Sequence, residues 1–96
     1  MEYKTREGIL IFKKDKEIRY VRMPKCQAEV MEILIMMNGE PIKGPQILQE
    51  IEKKRGVTLY KNNVTLHIKR INEKTNGLIK NRYGYGYYID EEIQLW

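Results

Sequence analysis

NNVTLHIKRINEK, residues 62 to 74, carries two patterns at once. Val64, Ile68 and Ile71 recur at i, i+4 and i+7, the spacing of the buried stripe of an amphipathic helix. Thr65, Leu66, Lys69, Arg70 and Asn72 lie off that stripe. They bring together a hydroxyl, an aliphatic chain, two cations and an amide, an assortment suited to phosphates, base edges and thymine methyls in a major groove. An ordinary solvated helix face has the same spacing, so the flanking sequence has to discriminate.

Downstream, Asn76-Gly77 is a turn or cap signal. Leu78 to Tyr83 and Gly86 to Ile89 then read as a hairpin turned around Gly84-Tyr85-Gly86. That Gly-Tyr-Gly triplet is not a dinucleotide fingerprint, because no glycine follows three residues on and no helix comes after it. The tail from Asp90 to Trp96 is acidic, and its Leu95 and Trp96 are expected to pack on the core.

Upstream, Val57 to Lys61 reads as a loop, with Asn62 or Asn63 as the N-cap of the central helix. The first amides of that helix, with Lys61, favour a phosphate. A preceding helix starts near Pro45, runs to about Lys54, buries Ile47, Leu48 and Ile51, and stops at Gly56. Glu40-Pro41-Ile42 is a short extended link. Cys26 to Asn38 is a further helix, ended by Gly39 and apolar nearly all round. Such a helix is either central to the core or offers a second face, at Met36 and Met37, to a partner. Gly8 to Lys13 and Glu17 to Met23 read as an antiparallel hairpin, to which Glu2 to Arg6 can add an edge strand.

Charge is distributed unevenly along the chain. Residues 1 to 52 carry nine Lys/Arg and nine Asp/Glu, residues 53 to 82 nine and one, and residues 83 to 96 none and three. The middle segment is thus +8, centred on the helix quoted first, which is the footprint of a polyanion ligand. If about five to seven phosphates are neutralised there, log K should fall against log salt with a slope of roughly −4 to −6. A chain of 96 residues has room for one modest core. It has no apolar run of membrane-spanning length and no signal-peptide pattern, and its one cysteine, Cys26, has no internal partner. A cytoplasmic setting is the expectation. Paired carboxylates, a metal cluster and a nucleophile constellation are not evident, so no catalytic residue, metal, cofactor or small-molecule substrate is expected.

The order of hairpin, helix, short strand, helix, loop, basic helix and hairpin resembles the effector domains of bacterial OmpR/PhoB-type response regulators, which are winged helix-turn-helix DNA-binding domains. The resemblance spans roughly Gly8 to Ile89. VTLHIKRIN at Val64 to Asn72 is similar to the family's V-x-V-H-I-R-R-L-R recognition helix. GYGYYI at Gly84 to Ile89 is similar to its G-x-G-Y-x-hydrophobic wing, and QAEVMEIL at Gln27 to Leu34 to its E-F-E-L-L-x-L-L first helix.

The resemblance implies an α+β winged helix-turn-helix with three helices, an N-terminal β-hairpin and a C-terminal β-hairpin wing. One domain over 1–96 would comprise N-terminal strands (1–23), a three-helix core (24–75), the wing (78–89) and the acidic tail (90–96). Thr65, Leu66, Lys69, Arg70 and Asn72 would face the major groove. Lys61, Asn62, Asn63 and the wing residues Arg82, Tyr83 and Tyr85 would meet the backbone and adjacent minor groove. His67 matches the family histidine and is assigned a structural role. The chain departs from the family at Asn72, where arginine is usual, at Ala28, in place of a bulky aromatic, and at Tyr83, where the wing arginine stands. Because Arg82 and Tyr83 alternate along a strand, only one can face the DNA, and the family register selects Tyr83. The receiver domain is missing from this sequence.

The expected function is therefore sequence-specific binding of double-stranded DNA by a stand-alone domain, as a homodimer or tandem assembly. Its setting would be transcription regulation or plasmid or phage DNA processing. The alternative is a winged-helix protein-interaction module that uses its apolar first helix.

Overall fold

A computed structural model describes residues 9–14, 16–56, 64–90 and 93–95. In chain order the elements are β1 (Ile9–Lys14), β2 (Glu17–Arg22), α1 (Lys25–Met36), α2 (Gly44–Arg55), α3 (Val64–Thr75), β3 (Lys80–Arg82), β4 (Gly86–Tyr88) and β5 (Ile93–Leu95). The expected edge strand at Glu2 to Arg6 and the packing of Leu95 and Trp96 side chains lie outside the described residues.

The N-terminal hairpin forms in the register Ile9 opposite Arg22 through Lys14 opposite Glu17. Strand alternation turns Leu10 and Phe12 into the core and leaves Ile18 and Tyr20 exposed. The acidic tail does more than the sequence indicates. Its β5 pairs antiparallel with the free edge of β1, giving a three-stranded sheet ordered β2-β1-β5. A three-residue strand has too little pattern to be recognised before its partner is known.

Pro24 occupies the N-cap of α1. The helix ends at Met36, two residues short of the expected Asn38, because Asn38 and Gly39 both adopt left-handed backbone, at φ 53° and 90°. Ala28, Val30, Met31 and Leu34 are buried, and Ile33, Ile35 and Met37 pack against the same core. The all-round apolar character of α1 thus reflects a central position. Of the two methionines assigned to a partner face, Met37 is half-buried and only Met36 stands out, at 76% exposure.

Pro45 lies in the first turn of α2, and Gly56 closes the helix at φ 70°. Ile47 and Ile51 are buried, while Leu48 is half-buried. On α3 the stripe Val64, Ile68 and Ile71 is buried as its spacing predicts, and Thr75 extends it by one turn. The Thr75 hydroxyl donates to the Ile71 carbonyl at 2.7 Å and accepts the Leu78 N–H at 3.3 Å, which steers the chain into the wing.

The wing is the antiparallel pair β3-β4, with Lys80 opposite Tyr88, Asn81 opposite Tyr87 and Arg82 opposite Gly86. The link between α1 and α2 braces it. Ile42 N–H donates to the Tyr87 carbonyl at 2.9 Å and Tyr87 N–H to the Ile42 carbonyl at 2.8 Å. Gly86, at φ 125°, lies so close that a Cβ there would sit 2.4 Å from the Ile42 carbonyl. Only glycine fits this approach. The architecture is an α+β winged helix-turn-helix, with three helices, an N-terminal hairpin and a C-terminal hairpin wing. Among the described residues, no helix is long and apolar enough to cross a membrane.

Candidate nucleic-acid interface

Burial of one stripe on α3 dictates what the opposite side presents. Thr65, Lys69 and Arg70 are exposed and Leu66 is partly so, at 38%. Glu73 shares that face. Beside it an open groove of about 570 Å³ runs between α3 and the root of the wing, lined by Thr65, Lys69, Asn72, Glu73, Asn76 and Tyr87 among others. The expected reading face and the wing therefore border one surface. Glu73 and Asn76 were not among the expected contacts, and a carboxylate here opposes an approaching phosphate. Helical spacing from Lys69 to Glu73 is the signal that places the acid on the same face.

Asn72 departs from its expected role. It is half-buried, and its amide grips one backbone unit of the wing. Nδ2 donates to the Ile79 carbonyl at 3.0 Å, and Oδ1 accepts the Ile79 N–H at 2.8 Å. A side chain held at both ends is committed to positioning the hairpin, a task that needs the donor and acceptor of an amide.

The wing tip differs as well. The strand β3 stops at Arg82, so Tyr83 belongs to the turn and the alternation argument does not reach it. Tyr85 N–H donates to the Arg82 carbonyl at 2.9 Å, and Gly84 takes φ 82°, the sign a type II turn requires at its third residue. Tyr83 is left 97% exposed at the apex. The Arg82 guanidinium sits over the Tyr85 ring, 4.7 Å from its centroid. Arg82 and Tyr83 are thus both outward, and no choice between them is needed.

Charge in space is more selective than charge in sequence. Within the +8 segment, Arg55 pairs with the buried Glu29, Lys54 with Glu32, Lys53 with Glu50 at 3.7 Å and Lys80 with Asp90 at 2.7 Å. Lys74 donates to the Gln27 side chain at 2.8 Å and reaches the Arg22 carbonyl at 3.4 Å. Two of these carboxylates come from α1, in the stretch that is neutral by linear count. Lys69, Arg70 and Arg82 have no carboxylate partner among the described residues, so the positive field is concentrated on α3 and the wing tip. Lys61, Asn62 and Asn63 lie outside the described residues.

His67 flanks this face, half-buried. Burial, and secondarily the Arg70 charge, lower its pKa from 6.5, so the ring is neutral at physiological pH. No group of three or more His, Cys, Asp and Glu suited to a metal occurs among the described residues. No protein-family model matches the chain, and no curated protein is significantly similar to it.

Proposed function

We propose that this is a DNA-binding protein that recognises a duplex site without chemical turnover, with α3 in the major groove and the wing at the adjacent minor groove. One observation carries the reading: among the described residues of the basic segment, Lys69, Arg70 and Arg82 have neither a carboxylate partner nor the side-chain and carbonyl contacts that hold Lys74, and they lie on α3 and the wing, which border a common groove. Arg70 supplies a planar fork for a guanine edge, Thr65 and Leu66 complement other base edges, and Lys69 meets phosphate. The resemblance to OmpR/PhoB-type effector domains supports the same docking. The setting of this binding is transcription regulation or plasmid or phage DNA processing. A protein-interaction module based on α1 has less support, because Met36 is exposed without Met37 beside it in the same state.

Selection of bound sites from a random duplex library tests the proposal. An enriched motif is expected, and a direct or inverted repeat within it would indicate two copies per site, since one winged helix reads only a short stretch. Recovery of unenriched sequence after repeated rounds would contradict sequence-specific binding.

A further inference from the structure

The wing places a large ring where nothing covers it. Tyr83 is 97% exposed and Tyr85 61% exposed, both at the tip of the hairpin. An aromatic ring is a large surface to leave in water, and it becomes useful when a partner covers it.

The support behind that ring is stiff at both ends. At the tip, the Tyr85 N–H to Arg82 carbonyl bond closes the turn and Gly84 fixes its hand. At the root, the reciprocal Ile42 and Tyr87 bonds and the close approach of Gly86 to the Ile42–Lys43 backbone tie the hairpin to the α1–α2 link. The Asn72 amide holds Ile79, just before β3. A hairpin braced in this way transmits a load to its apex. The one cation of the tip is stacked on Tyr85, so Arg82 is oriented beside the apex while Tyr83 forms it.

From this arrangement we infer that Tyr83 is a wedge for duplex DNA. The inference rests on the DNA-binding reading above and goes beyond it. With α3 docked in the major groove, the Tyr83 ring enters the neighbouring minor groove and partly unstacks one base step, which kinks the duplex, while Arg82 takes a flanking phosphate. Pyrimidine–purine steps unstack most easily, so the wing selects a TA or CA/TG step through deformability rather than through hydrogen bonds.

The test uses the full chain and its selected duplex, end-labelled for energy transfer and carrying 2-aminopurine at the step under the wing. Wild type should bend the duplex by about 20–90° and raise the 2-aminopurine emission. Tyr83→Phe should preserve both signals, since the ring does the work. Tyr83→Ala should lose both, with an unchanged thermal melt and an unchanged salt slope of binding. Bound but straight DNA with wild type would overturn the wedge, as would undiminished bending by Tyr83→Ala. Equal loss in Tyr83→Phe and Tyr83→Ala would overturn it in favour of a hydroxyl contact. Absence of any duplex binding by wild type would overturn the DNA reading itself.

Discussion

Lys69 and Arg70 are neighbours on the exposed side of α3, yet their chemistry differs. A guanidinium can donate two parallel bonds to one guanine, so Arg70→Ala should cost about 1–3 kcal/mol on the preferred site and relax the preference at one base pair. Lys69→Ala should weaken all sequences alike. Competition binding with the selected duplex and random duplex distinguishes the two, and equal losses for Arg70→Ala on both would refute its assignment. Asn72 is predicted to act through the wing. Asn72→Ala leaves the Ile79 N–H and carbonyl without their partners and should destabilise the fold by about 1–3 kcal/mol in urea denaturation. A variant as stable as wild type would show that the amide does not hold the hairpin. The contrast between these residues shows what was legible in the sequence. Val64, Ile68 and Ile71 are readable because helical periodicity is local. The partner of Asn72 is a backbone unit beyond a turn, which side-chain pattern does not encode.

At the scale of elements, the three helices and two hairpins follow from local signals: apolar periodicity, Pro24 and Pro45 at helix starts, and left-handed Gly39 and Gly56 beyond helix ends. The wing tip differs from the extended strand expected through Tyr83 for a physical reason. An extended reading of Leu78 to Tyr83 counts alternation through Tyr83, whereas the hydrogen bond from Tyr85 to Arg82 starts the turn one residue sooner. The glycine pattern identified the hairpin but not the tight contact at its root. Gly86→Ala should therefore be far worse than a simple loss of backbone freedom. Its Cβ would overlap the Ile42 carbonyl in a conformation that disfavours side chains, so destabilisation by more than about 1 kcal/mol is expected from the shift of the urea midpoint. An unchanged midpoint would mean that the α1–α2 link does not brace the wing. Strand β5 is not legible for another reason: it is defined by its pairing with the distant β1, Leu10 opposite Leu95 and Phe12 opposite Ile93.

For the whole molecule, ionisable groups bear on both stability and the proposed binding. His67 has a lowered pKa in the fold, so the unfolded chain takes up its proton first on acidification. Stability is then fully present above about pH 6.5 and falls as pH drops toward the folded pKa, after which the loss levels off. His67→Gln should flatten that decline in urea midpoints measured across the range, and an unaltered decline would assign it to other groups. Binding depends on the cations left over once the body has paired its own. The nine Lys/Arg of residues 53 to 82 include four with carboxylate partners, a division set by the packing of α1 against α2, by the Glu50–Lys53 spacing within α2 and by the closeness of Lys80 to Asp90. Lys69, Arg70 and Arg82, with Lys61, would neutralise about three or four phosphates rather than five to seven. Fluorescence anisotropy of the selected duplex at several salt concentrations measures this directly. The predicted slope of log K against log salt is roughly −3 to −4, and a flat plot or undetectable binding at low salt would contradict DNA recognition by this surface.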